Sequence, residues 1–349
     1  MSILYRLATP ADAALLSDFH GQACQAVLPP AFWQWKYFDN PAGPGFLVLA
    51  LEDGRPVGRN GVYAQRFLVN GQELAAGQVA DIDLLEPSRR GGVYLGLARF
   101  LRAAMAEHRL PFLCAVAVEA TRELSTRVLG WRLVGPVDRW IRPLDPLAFL
   151  GRRLGLAAGT LSLASLVRRL PSRLPAGVRR LDLAELAGVG DALWPQLRRR
   201  PVMAVKDGQH LDWRYRRCPV VSYQALVAEQ NGRPAGLAIF HLVEKERLVY
   251  GIVSELLVAE DDLAIARRLL AGAQQELARQ GAASLVAWLP GHDPLAAGLR
   301  RQGWRPRPTP HYWLVYGGGP PVAPDDLTAP AAWTYSLGDS DYWMIPRQR

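Results

Sequence analysis

Cysteine is scarce and scattered in this chain of 349 residues: Cys24, Cys114 and Cys218 are odd in number and far apart. That spacing excludes a disulfide framework and a zinc ribbon. Long apolar runs are missing too; none reaches the roughly 20 residues that a membrane-spanning helix needs. The opening MSILYRLATPADAALL lacks the basic-then-apolar order of a secretory leader, so a cytoplasmic, reducing setting is expected. No Cys-x-x-Cys pair, His-Glu-x-x-His, Gly-x-Ser-x-Gly elbow or Walker-type loop occurs. His20, His108, His210, His241, His292 and His311 show no ligand spacing, and no metal is expected. What is present is ordinary for a soluble globular protein, with 50% hydrophobic and 21% charged residues. The length points to two domains. Lys and Arg number 41 against 32 Asp and Glu, a formal charge of +9 that suits an anionic ligand, an anionic membrane surface or nucleic acid without choosing among them.

The chain is written twice. FWQWKYFDNP holds Trp35, Lys36, Tyr37 and Pro41, and HLDWRYRRCP holds Trp213, Arg214, Tyr215 and Pro219, each pair 178 positions apart. The same offset carries DGRPVG onto NGRPAG. DLLEP aligns with ELLVA at 172, which sets Asp83 against Glu255 and Asp81 against Val253, and LGWRLVG meets QGWRPRP at 173. A repeat of this length means duplicated domains, since solenoid units run only about 20–50 residues.

Each copy predicts the same elements. ILYRLA is a strand, followed by a helix with Thr9 as N-cap, Pro10 at N1 and Asp12 closing a capping box. Residues 45–85 predict successive antiparallel strands turning at Asp53-Gly54 and Asn70-Gly71. GGVYLGLARFLRAAMAEHR is a helix, PFLCAVAV a buried strand, TRELSTRVLGW a short helix and RLVGPVDRWI a final strand. Between the copies, Leu154 to Val167 is uncharged and flanked by Arg152-Arg153 and Arg168-Arg169. It predicts a helical linker packed between domains, or an apolar helix lying on an anionic surface.

The stretch DIDLLEPSRRGGVYLGL carries the chemistry. A strand ends at Pro87, and Arg89, Arg90, Gly91 and Gly92 precede a helix. Glycine lets backbone N–H groups approach a ligand, and a helix N-terminus favours negative charge, so the fitting guest is a phosphate or pyrophosphate.

Strand order, the PSRRGGVY turn and the later LGW together resemble the GNAT acyltransferase superfamily, whose members use acyl-CoA donors. The family's turn is Gln/Arg-x-x-Gly-x-Gly/Ala; Arg89-x-x-Gly92 matches, while Tyr94 stands where Gly or Ala is usual. The paired WKY and WRY segments and the closing GDSD resemble bacterial tandem proteins linked to envelope polysaccharide production. The resemblance implies an α/β fold of the α+β type: two tandem GNAT-like domains, each a mixed, mostly antiparallel sheet flanked by helices. The expected division is 1–143, a helical linker at 144–180, a second domain at 181–318 and a tail at 319–349.

By the same resemblance acyl-CoA lies against Leu84, Leu85, Arg89, Arg90, Gly91, Gly92, Val93 and Tyr94, with Glu119 near the thioester. In the second copy Asp261 and Ala264 stand against Arg89 and Gly92, so only the first copy is expected to bind the donor. The base candidates are Asp81 and Asp83, two apart on a strand and so on one face. The family's proton-donating Tyr is replaced by Thr126, leaving Tyr94 as substitute. Trp35 with Trp213, and Tyr37 with Tyr215, are expected to be core or domain-packing residues. The leading expectation is N-acyl transfer to an amine, an amino sugar or other envelope precursor, with no DNA partner and peripheral membrane contact through 147–170. A non-catalytic accessory protein is the second reading. A Fem-like transferase using aminoacyl-tRNA is the third, set back by the absence of a charged coiled-coil arm.

Overall fold

The computed structural model describes residues 3–86, 88, 92–156, 173–318 and 321–342. Arg89, Arg90 and Gly91 of the predicted phosphate turn, and residues 157–172 of the linker, lie outside the described residues. The first half runs β1 (Ile3–Leu7), α1 (Ala13–Cys24), α2 (Pro30–Trp33), β2 (Phe46–Glu52), β3 (Arg55–Val69), β4 (Gln72–Leu84), α3 (Val93–Glu107), β5 (Phe112–Val118), α4 (Glu119–Val128), β6 (Arg132–Pro136) and β7 (Arg139–Pro143). After α5 (Pro146–Arg153) come β8 (Val178–Leu181), α6 (Leu186–Leu193), β9 (Val202–Ala204), α7 (Gly208–Leu211), β10 (Gln224–Gln230), β11 (Arg233–Lys245), β12 (Leu248–Val258), α8 (Leu263–Arg279), β13 (Ser284–Trp288), α9 (Leu295–Arg301), β14 (Arg305–Arg307) and β15 (His311–Gly317).

Local chemistry accounts for the boundaries. Thr9 caps the turn Pro10–Asp12, whose Asp12 carboxylate accepts from the Thr9 backbone N–H at 2.7 Å. Asp53-Gly54 (φ 48° and 78°) and Asn70-Gly71 (φ 47° and 85°) adopt the left-handed turns that two-residue hairpins require.

Two mixed, mostly antiparallel sheets result, in the orders β1-β2-β3-β4-β5-β15-β6, with β9 beside β3, and β14-β7-β13-β12-β11-β10-β8. Each sheet takes its last-formed partner from the other half. β15 inserts between β5 and β6, pairing Trp313 with Val116 and Leu314 with Leu133. β7 pairs with β13, Trp140 opposite Ala287. RLVGPVDRWI, expected as one strand of the first copy, is therefore two strands in two sheets.

The repeated aromatic segments lie at the seam. α2 and α7 each continue into a widened helical turn, Gln34–Phe38 and Asp212–Arg216. The Trp35 indole N–H donates to the Trp213 carbonyl at 2.8 Å, and Trp213 returns the bond to Trp35 at 3.0 Å. Their rings stack with centroids 4.9 Å apart. One apolar cluster runs through this pair and joins Leu16, Trp33 and Leu49 to Leu186, Leu211 and Ile239. Reciprocal bonds across a repeat are what a pseudo-two-fold axis produces. Among the described residues no helix is long and apolar enough to cross a membrane.

Candidate active site

β4 and β5 are parallel and pair only from Gly77–Leu113 to Val79–Ala115. Beyond this a bulge sets Asp81 and Ile82 against Asn60, and Asp81 takes a left-handed backbone, φ 54°. The strands part, and a cavity of about 160 Å³ opens between α3 and α4. Asp81, Tyr94, Ser125, Trp131, Asp341 and Tyr342 are among its walls. At about 10–15 Å³ per water-sized position it holds on the order of a dozen non-hydrogen atoms, the scale of a pantetheine arm.

The inner end is a buried charge cluster. The Lys36 ammonium donates to Asp81 and to Asp341, each at 2.6 Å, and the Tyr37 hydroxyl donates to Asp81 at 2.5 Å. The Lys36 and Asp81 side chains are 2% exposed and Asp341 19%. Burial pushes the Asp81 carboxyl up; the charges of Lys36 and Arg59 and the two hydrogen bonds outweigh it, leaving it below its ordinary value. Burial and the adjacent Asp81 charge hold the Tyr37 phenol well above its usual range.

The bulge breaks the two-residue alternation, so Asp81 and Asp83 do not share a surface as expected. Only Asp81 lines the cleft. Asp83 turns to α1, where Arg59 donates to it at 2.7 Å and the Cys24 thiol at 3.3 Å. Arg59 is fully buried, lies 4.3 Å over the Trp33 ring and sits 2.6 Å from His20 Nδ1. His20, Cys24 and Asp83 are close enough to hold a cation, but the guanidinium already occupies Asp83 and faces His20, which disfavours one.

The expected counterparts are also corrected. Arg59 opposes Asp83 in the first sheet, and its repeat partner Leu237 opposes Leu257 in the second. Asp81 thus corresponds to Glu255, and Tyr215 donates to Glu255 at 2.6 Å as Tyr37 does to Asp81. Lys206 donates to Glu255 at 2.6 Å and also pairs with Asp339. One tail segment therefore supplies both sites: Asp339 reaches the second half and Asp341 the first. Arg214 fastens it through the carbonyls of Gly338 and Ser340.

Tyr94 stands in the first turn of α3 and lines the cleft opposite Ser125. Burial raises its phenol, and a hydrogen bond with Ser125 only partly offsets this, so the hydroxyl keeps its proton near neutrality. Gly92 is the N-cap of α3, with φ 73° and no side chain capping the helix. Val93 is buried against Gly58 and Leu97. Leu84 packs at the same core, and Leu85 donates its N–H to Val57. Glu119 is half exposed, pairs with Arg122 and does not line the cleft. Thr126 donates to the Arg122 carbonyl in its own helix at 2.9 Å.

Sequence reasoning missed Lys36 and Asp341. The signals were a basic residue kept inside both aromatic repeats and two acids two apart in the tail.

Residues 4–134 match the family model of an acetyltransferase (GNAT) domain. The first repeat is thus similar to an acetyltransferase (GNAT) domain. The fold of the whole chain is shared with solved acyltransferase structures at low identity. A probable N-acyltransferase from Enterococcus faecalis is 11% identical, TM-score 0.61, with 90% of this chain and 72% of that one aligned. A GCN5-related N-acetyltransferase from Anabaena variabilis gives 13%, TM-score 0.60 and the same coverage. Saccharomyces cerevisiae N-myristoyltransferase with bound myristoyl-CoA gives 12%, TM-score 0.64, with 95% of this chain and 85% of that one aligned. No curated protein matches the chain.

Proposed function

We propose that the protein transfers an acyl group from acyl-CoA, held by the first cleft alone, to the amine of a small acceptor, an amino sugar or another envelope precursor. The carrying observation is an asymmetry between two equivalent helices. α3 starts at Gly92 with no side-chain cap, which leaves its first amides for a pyrophosphate, helped by Arg89 and Arg90 of the adjoining turn. In α8 the Asp262 carboxylate takes the amides of Ala264 and Ile265 at 2.7 and 3.2 Å and adds negative charge at that point.

In this reading the acceptor nitrogen attacks the thioester carbon, and Asp341, the more exposed carboxylate on Lys36, takes the departing proton, directly or through water. Lys36 holds Asp341 in place through their ion pair. Asp81 and Tyr37 position Lys36. Tyr94 gives its proton to the leaving thiolate. The exposed Leu147, Leu150 and Leu154 beside Arg152 and Arg153 support contact with an anionic membrane surface. Three free thiols suit a reducing cytoplasm.

Calorimetric titration of acetyl-CoA and longer acyl-CoAs, with Arg89→Glu/Gly92→Glu alongside, tests the reading. One binding event per chain, lost in the variant, supports it; no binding by folded wild type overturns it.

A further inference from the structure

The duplication preserves a second cleft. β12 and β13 pair from Tyr250–Ser284 to Val253–Ala287 and then part, as β4 and β5 do. The cavity there is about 90 Å³, room for roughly six to nine water-sized positions. Its floor is apolar, including Ala287, Leu295 and Leu299. Trp288 lines it, is 3% exposed, and its indole N–H has no hydrogen-bond partner among the described residues. Such a buried donor is costly to leave unmet and calls for an oxygen acceptor.

The charges disfavour an anion, because each lining cation is already paired with a carboxyl group. Four carboxyl groups (Glu255, Asp261, Asp293 and Asp339) line the cleft against three cations. The helix terminus at its mouth is closed by Asp262. The two clefts also lie back to back. The Trp288 ring stacks on Tyr342 with centroids 6.0 Å apart, and Tyr342 lines the first cleft. Asp339 of the second cleft and Asp341 of the first are separated by one extended residue, Ser340, a backbone span of about 7 Å at most.

We infer that the second cleft binds a compact primary amine carrying a hydroxyl or carbonyl oxygen, of the amino-alcohol class, next to the donor site. Its oxygen accepts from Trp288 and its ammonium meets the excess carboxylate. The assignment of this molecule as acyl acceptor rests on the acyl-CoA reading; its binding does not.

The probes are ethanolamine and 3-amino-1,2-propanediol, with glycerol and phosphoethanolamine as controls, titrated into the full chain with and without CoA. Variants are Trp288→Phe, which keeps the ring and deletes the donor; Ala287→Leu, which fills the second cleft; and Ala98→Trp, which fills the first. Thermal melts confirm that each is folded. Expected results are binding of at least one amine, weakened about tenfold by Trp288→Phe, abolished by Ala287→Leu, and kept in Ala98→Trp while CoA binding is lost. The inference fails if neither amine binds, if glycerol or phosphoethanolamine binds equally, or if Ala98→Trp removes the amine and Ala287→Leu does not. Failure of wild type to bind CoA overturns the donor reading separately and leaves the amine result standing on its own.

Discussion

Replacing Lys36 by Met tests the cluster at the inner end of the first cleft most directly. The substitution keeps the length of the side chain and removes a cation that touches two carboxylates at 2.6 Å. At an effective dielectric near 20, one such contact is worth about 6 kcal/mol before desolvation. Breaking a buried pair by deleting one partner costs about 3–5 kcal/mol. The lower end applies, because Arg59 also favours the Asp81 charge and Asp341 is partly wetted. The pH dependence then changes sign. In wild type Asp81 lies below its unfolded value, so its contribution is present above that value, about 3.9, and is lost as pH falls through the folded one. Without Lys36, burial prevails and the Asp81 carboxyl rises above its unfolded value. Its contribution is then present at low pH and lost as pH rises through the folded value. Urea denaturation followed by tryptophan fluorescence should show a loss of about 3 kcal/mol at pH 8 and a smaller one at pH 5. Lys36→Arg should recover part of it. A loss below about 1 kcal/mol, the scale of a surface ion pair, or one equal at both pH values, would refute the buried-pair argument.

Trp35→Ala removes a stacked ring and its indole hydrogen bond to the Trp213 carbonyl, and should cost about 3–5 kcal/mol in the same assay. The double variant with Trp213→Ala should cost less than the sum of the two singles, because the two rings are partners. Gly338→Ala would set a Cβ 2.0 Å from the Tyr215 hydroxyl and 2.2 Å from Glu255; the tail should be displaced, which limited proteolysis reads as faster cleavage after residue 336. Asp341→Asn should lower kcat about 10²–10⁴-fold, with acyl-CoA affinity unchanged by calorimetry. Unchanged kcat would remove Asp341 from the proton transfer.

The repeat, the capped first turn and the Asp-Gly and Asn-Gly hairpins could be read from the chain because each depends on residues close in sequence. The strand exchange could not. Arg139–Pro143 carries the same local pattern whether it extends the first sheet or the second, and the choice is made by which edge is open once both halves pack.

The active-site register failed for a related reason. The match of DLLEP to ELLVA rests on leucines, and a shift of two residues keeps every side chain on its face, so apolar patterning cannot detect it. What distinguishes the registers is a hydrogen bond: Tyr37 and Tyr215, aligned at 178, must each find a carboxylate, and Asp81 with Glu255 is the pair that both reach. The correction inverts the comparison between copies. The carboxylate kept in both halves is Asp81, whereas Asp83 belongs with Arg59, His20 and Cys24, for which Leu237 shows the second half has no equivalent arginine. Asp81 is thus the part of the site that duplication inherited as architecture. What separates the first cleft from the second is the uncapped start of α3 and the greater exposure of the tail carboxylate, 19% for Asp341 against 4% for Asp339. A catalytic role should therefore be sought at Asp341 before Asp81, and Asp81→Asn should act through the position of Lys36 and Asp341, lowering kcat less than Asp341→Asn does.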